Sequence, residues 1–352
     1  MTVSRRAVLG AFGALSTTAA LAACSTGSTS SSSPSATGSS TGTSDAGAFP
    51  VTIKNSFGNA VIPKEPTRIA TLPFANEDYL AVLGVVPVLV PKWEAPAGNS
   101  RGSTDWFDAA VKKLGKDYPP QYSFTDSTPI DEIAKSTPDL LFGPYSGLTE
   151  QEYAKASKLA PTVAAPGAPY GATWQQILEI AGQATGKEAQ AATAKTDLEK
   201  QIADAVAKYP AIKGKTIAVL RFLPTDTSKI FSTTTLDPRT ALMLEFGFTT
   251  PQFVTDLSKA NPQSYGAAIS AEKAASTIDA DVAIIFSEKD SDFDALKSNA
   301  LLSKIPNIQN DTAIYLANNS DTNALNTPTV LSIPVVLEKY LPQLGAAAEK
   351  AK

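Results

Sequence analysis

The sequence predicts an α/β protein of two Rossmann-like lobes. Each is built on a mostly parallel central sheet, with one long helix joining them. Three observations carry that expectation. Short apolar runs alternate with helical patterns in both halves of the chain. A single long stretch of three-to-four periodicity separates those halves. The roughly 300 residues that remain after the N-terminal region exceed what one core usually holds.

The N-terminal region carries signals of its own. Ser4-Arg5-Arg6 precedes an apolar stretch from Ala7 to Ala23, which ends Leu21-Ala22-Ala23-Cys24. That stretch is short and rich in Ala, Gly and Thr, a poor membrane span but a good secretory signal. The small residues before Cys24 form a lipobox-like site, and the paired arginines resemble a twin-arginine export signal. Residues 1–23 are therefore expected to be a signal peptide, with Cys24 lipidated as the mature N-terminus. Cys24 is the only cysteine, so no internal disulfide can form. Residues 24–48 are Ser, Thr and Gly with few other types, a composition that cannot bury enough apolar surface to order itself. They read as a flexible tether, with structure beginning near Phe49.

The first lobe is expected over 49–170. Ile69-Ala70-Thr71-Leu72 reads as a strand, Pro73 to Asn76 as a loop, and Asp78 to Leu83 as a short helix stopped by Gly84. A strand-like run from Val85 to Val90 follows. Ile130 to Lys135 reads as helix, Leu140 to Phe142 as strand, Glu150 to Leu159 as helix, and Thr162 to Ala164 as strand. From Thr173 to Tyr209 the pattern is helical, with Trp174, Ile177, Leu178, Ala181, Leu198, Ile202 and Val206 on an apolar stripe. This linking helix is placed within 171–212, with Gly182 and Gly186 as possible joints. The second lobe, 213–352, has strand-like runs at Thr216 to Leu220, Val282 to Phe286 and Ala313 to Leu316. A final helix follows Pro334 and runs through Leu341.

Composition narrows the function. Hydrophobic residues are 43% and charged residues 18%, a globular balance. A net charge of -4 without a basic run argues against nucleic acid as a partner. There are no histidines, which removes the commonest metal ligand and the usual general base. Carboxylate catalysis through Asp226, Asp237 or Glu288 would be the enzymatic alternative, but no pairing at fixed separation marks it.

Five stretches, in order, resemble one family, the substrate-binding proteins of siderophore, haem and cobalamin ABC importers. The first runs from Arg68-Ile69-Ala70-Thr71-Leu72 through Asn76 to Leu83-Gly84-Val85-Val86-Pro87-Val88. The second is Ile130-Asp131-Glu132-Ile133 with Pro138-Asp139-Leu140-Leu141. Ser146-Gly147-Leu148-Thr149, followed by Tyr153 and Leu159-Ala160-Pro161, is similar to the ferric-siderophore branch. Leu242 to Phe248 with Ser270-Ala271-Glu272 matches the second lobe, and Leu331 to Leu337 again fits the siderophore branch. The resemblance implies that the joining helix is rigid and that the ligand cleft lies between the lobes, in a monomeric, membrane-anchored receptor that captures a ferric siderophore and delivers it to an ABC permease. It implies no enzyme activity and no cofactor, with iron bound only through its chelator. Haem or cobalamin is the alternative cargo.

Residues just beyond strand ends are the ligand-contact candidates. They include Asn76, Trp93 and Tyr145, with Trp106 added because it matches a tryptophan of the siderophore branch. A haem cargo, lacking histidine, would depend on Tyr145 or Tyr265, and Tyr265 is included among the contacts. Arg221 ends an apolar strand, where an arginine is costly unless paired, and is expected to bind the oxygens of an anionic ferric complex. Arg68 is expected to pin the start of the first strand. In relatives one acid per lobe docks onto permease arginines, which implies that role for Asp131 or Glu132 and for Glu272. Read from the residues alone, these acids sit at helix starts, where negative charge is favourable.

Overall fold

The computed structural model describes residues 49–125 and 127–351. The expected signal peptide, Cys24 and the tether lie outside the described residues. The first half opens with an antiparallel hairpin, β1 (Val51–Asn55) and β2 (Gly58–Ile62), turned at Ser56-Phe57. Then come β3 (Ile69–Thr71), β4 (Val90–Pro91), β5 (Gln121–Tyr122), β6 (Leu140–Phe142) and β7 (Thr162–Val163). All their pairings are parallel, in the order β3-β6-β7, with β4–β5 joined to β3 through a bridge from Ala70 to Leu89. Arg68 secures the start of β3 as expected, donating from Nε to the Thr137 carbonyl at 3.0 Å and from Nη2 to that of Ser136 at 2.6 Å.

The second half holds β8 (Ile217–Arg221), β9 (Lys229–Thr233), β10 (Gly266–Ser270), β11 (Val282–Ser287) and β12 (Ala313–Ala317), in the sheet order β10-β9-β8-β11-β12. β8, β11 and β12 run parallel, while β9 and β10 are antiparallel additions. The pattern in β10 is broken by Gly266 and exposed Ala268, which is why it does not read as a strand in the sequence. β11 is buried at every position, as a strand covered on both faces must be. Ile53, Phe142, Val219, Ile284 and Val336 belong to one continuous apolar core that spans both halves. Burial of each such side chain contributes on the order of 1.5–3 kcal/mol.

The single linking helix is not observed. Thr173 to Tyr209 instead forms two helices, Trp174–Thr185 and Glu188–Val206, folded against each other. Thr173 starts the first with a capping box to Gln176, and Gly186 ends it at φ 65°, the left-handed conformation that terminates helices. Gly182 allows the second helix to approach, since a Cβ there would lie 2.8 Å from that of Ala191. Lys195 reaches back to Glu179 at 2.6 Å. The final helix is also divided, into Ile333–Lys339 and Leu341–Lys350. Pro342 has no N–H for the preceding turn and its ring crowds the carbonyl four residues back, so a continuous helix is blocked there.

Candidate functional site

The loop after β3 is strained. Phe74 and Ala75 have φ of 74° and 50°, a region that costs a residue with a side chain roughly 1–2 kcal/mol. Asn76 holds the loop in that shape. Its Nδ2 donates to the carbonyls of Leu72, Pro73 and Phe74, and at 3.0 Å to that of Tyr145, while its Oδ1 accepts from the Tyr145 N–H at 3.0 Å. Asn76 is fully buried and its polar atoms are committed. The ligand contact expected of it is corrected: it shapes the loop that presents Phe74.

Phe74 is the centre of an aromatic wall. Its ring meets those of Trp93, Phe124 and Tyr170 edge-on, at centroid distances of 6.1, 5.3 and 5.5 Å. Tyr170 continues the wall to Tyr145 at 5.5 Å and across to Tyr265, in the second half, at 5.9 Å. Tyr170 also has a left-handed backbone, φ 57°. Gly147 of the Ser146–Thr149 stretch makes room for it, since a Cβ there would lie 2.4 Å from the Tyr170 hydroxyl. The rest of that stretch is local structure: Ser146 Oγ donates to the Gly143 carbonyl at 2.7 Å, and Thr149 caps the helix Glu150–Leu159. Trp93, Tyr145 and Tyr265 thus share one wall. Phe74 lies in the Pro73–Asn76 loop expected after a strand, whereas Phe124 and Tyr170 were not singled out from sequence, because nothing in their spacing sets them apart from core aromatics.

Trp106 does not share it. Its indole N–H donates inward to Asp78 Oδ2 at 2.8 Å and its ring packs beside Ala81, Val90 and Phe107. Trp106 is half-buried, with its indole N–H committed to Asp78.

Next to Tyr265 lies a cavity of about 310 Å³ lined by Arg221, Leu223, Phe231 and Arg239, among others. Its cations are not free. Arg221 donates from Nη2 to Glu288, whose other oxygen accepts from Asn318 Nδ2 at 3.2 Å. The pairing that an arginine at the end of β8 needs is thus supplied by Glu288 from within the protein. Arg239 is gripped by Asp237 on two sides, Nε to Oδ1 at 2.9 Å and Nη2 to Oδ2 at 2.7 Å, and its Nη1 donates to Asn326 at 3.0 Å. Burial pulls the Arg239 pKa down, but Asp237 beside it more than offsets this and holds it above the usual value. Arg239 was missed from sequence, although Asp237-Pro238 is a recognisable helix start that places it. At the rim, Lys229 pairs with Asp226 at 2.7 Å and lies over the Phe231 ring.

Behind the wall sit two adjacent buried acids. Glu77 accepts from the Trp93 indole and from Thr71, both at 3.4 Å. Asp78 accepts from Trp106 and from Thr329, the latter a contact between the two halves, and its second oxygen has no partner. Burial, reinforced by Asp78, pushes Glu77 up to about 8, and burial pushes Asp78 up to about 7.

The acids expected to dock are apart from this site. Asp131 and Glu132 are exposed in the first turn of the helix Ile130–Ala134, and Glu272 is exposed in the first turn of Ala271–Thr277. A larger groove of about 750 Å³ lies between the helix Glu188–Val206 and Val330–Pro334, but no aromatic ring or arginine lines it. Among the described residues there is no cluster of three metal-ligating groups and no helix long and apolar enough to cross a membrane.

Residues 69–319 match the periplasmic binding protein family. The chain belongs to that family. A Bacillus subtilis relative of this periplasmic binding protein, a probable siderophore-binding lipoprotein, is 26% identical over 247 residues, covering 68% of this chain and 69% of the relative. The crystal structure of PiaA from Streptococcus pneumoniae in complex with ferrichrome is 30% identical, with a TM-score of 0.79 over 86% of this chain and 99% of that one. A periplasmic solute-binding protein from Mycobacterium smegmatis is 27% identical, with a TM-score of 0.69 over 85% and 98%. Periplasmic binding proteins bind and hand over a solute; the chain is a binding protein and not an enzyme.

Proposed function

We propose that this chain captures a ferric siderophore between its two halves and delivers it to an ABC importer, held at the extracytoplasmic face of the membrane by lipid on Cys24. The observation that carries the reading is the aromatic wall running from Trp93 through Phe74 and Tyr170 to Tyr265, which joins both halves at one surface. Rigid aromatic faces suit a bulky chelate whose periphery is apolar and whose oxygens accept hydrogen bonds. Iron enters only inside its chelator, without a resident cofactor. The relative bound to ferrichrome supports the same reading. Haem would require an axial phenolate; burial pushes the Tyr145 phenol away from ionisation, and the Tyr265 ring is packed edge-on against Tyr170 in the wall. The carboxylates of an enzymatic alternative, Asp226, Asp237 and Glu288, are each held by a cation.

Ferrichrome is expected to quench the tryptophan fluorescence of the protein saturably, with submicromolar affinity, equivalent to more than about 8 kcal/mol. Saturable binding of haemin or cobalamin with no response to any ferric siderophore would move the assignment to the other cargo. Cys24→Ala is expected to shift the protein from the membrane fraction to the soluble exported fraction. Retention of the variant in the membrane, with no acyl chain on the unaltered protein, would refute the anchor.

A further inference from the structure

Resting on the siderophore reading, the charge arrangement of the cleft narrows the cargo. Two cations line the cavity, Arg221 and Arg239, and Lys229 lies over the ring of Phe231, which also lines it; each is matched by its own carboxylate, Glu288, Asp237 and Asp226. The Asp237 side chain is only 4% exposed and grips Arg239 on two sides, so that guanidinium cannot be re-aimed at a ligand. Glu288 is itself steadied by Asn318, which keeps it in place beside Arg221. Lys92, next to Trp93, is paired in the same way with Glu94 at 3.0 Å. Among the described residues that line the cavity, no cation lacks an acid beside it.

An anionic chelate entering here would meet as many carboxylates as cations, and would give up its hydration without gaining a counter-charge. A neutral one faces no such cost. Its oxygens can accept from the guanidinium N–H groups left over, while its body lies on the rings. We infer that the site is built for an uncharged ferric complex, of the tris-hydroxamate class, in which three singly charged ligand groups balance the iron. The ion pairs act as the discriminating element, because each carboxylate repels an anion that the arginine alone would attract.

The test measures affinity of the full chain, in detergent, for ferrichrome, a neutral tris-hydroxamate, and for a trianionic ferric tris-catecholate. Ferrichrome is expected to bind at least ~100-fold more tightly. Glu288→Gln releases the Arg221 charge at a half-exposed position where the fold is not at stake, with folding checked by melting. It is expected to improve tris-catecholate binding about tenfold, read as a narrower ratio of ferrichrome to tris-catecholate affinity. Equal or tighter binding of the tris-catecholate by the unaltered chain would overturn the charge inference while the siderophore reading stands. An unchanged preference in Glu288→Gln would overturn the role of the ion pair. Binding of neither complex, nor of any other ferric siderophore, would overturn the underlying reading and this inference with it.

Discussion

Stability is expected to fall as pH rises from about 4 to about 8, and Glu77→Gln is expected to flatten that decline and to stabilise the protein at pH 8 by about 1–3 kcal/mol. Burial raises the Glu77 pKa to about 8, with the Asp78 charge adding to the shift, and burial raises Asp78 to about 7. Both lie above the ordinary carboxylate range of the unfolded chain. Between those limits the folded state holds protons that the unfolded state has released, so the contribution is complete at the acid end and is lost as pH passes through the folded values. Other acids work in the opposite sense at lower pH. Asp139 is partly buried, yet the Thr67 and Arg68 backbone N–H groups hold its pKa below the usual value, and Glu152 is lowered similarly by those of Thr149 and Thr128. Their stabilisation is lost as pH falls, which places the maximum at mildly acid pH. Glu77→Gln is the favourable substitution because Thr71 can turn its hydroxyl to accept from the new amide. Melting temperatures from pH 4 to 9 check this. Stability that rises steadily with pH across that window would show that the pair is ionised without penalty.

Uptake of iron is expected to be abolished when Asp131, Glu132 and Glu272 are all replaced by Ala, with ligand affinity in solution unchanged. The three are exposed and lie in separate halves, on short helices away from the aromatic wall. A pair of carboxylates set apart can engage two permease arginines at once, fixing orientation as well as attraction. Single exposed ion pairs are weak, so a single substitution should reduce transport only in part. Transport of radioactive ferric chelate into cells, measured beside solution affinity, separates the outcomes. Normal uptake by the triple variant would leave these acids only their place at helix starts. Loss of solution affinity would mean that they support the fold or the cleft.

The fold was legible wherever a strand was buried on both faces. β6, β8, β11 and β12 announce themselves as unbroken apolar runs, and the helix Glu150–Leu159 begins with a readable Thr149–Glu152 box. β10 did not, since an antiparallel strand at a sheet edge carries Ser, Gly and Ala as readily as a loop does. The linking segment shows how periodicity misleads: its apolar stripe continues past Gly186, but one left-handed residue is enough to fold it into a hairpin. Within the site, strand ends identified the correct loops but not the direction of each side chain. Asn76 and Trp106 turn inward to neighbours that are remote in sequence or set by a strained backbone. The partner of Arg221 lies 67 residues away, beyond the reach of any local pattern.

The two left-handed aromatic residues, Phe74 and Tyr170, have a consequence for how this protein can change. At these two positions the residue that relaxes the main chain is glycine, which has no ring to offer a guest. Thermal robustness and recognition are therefore opposed at the same two atoms of backbone. The nearby Asn76 and Gly147 can change only in ways that keep both rings in place.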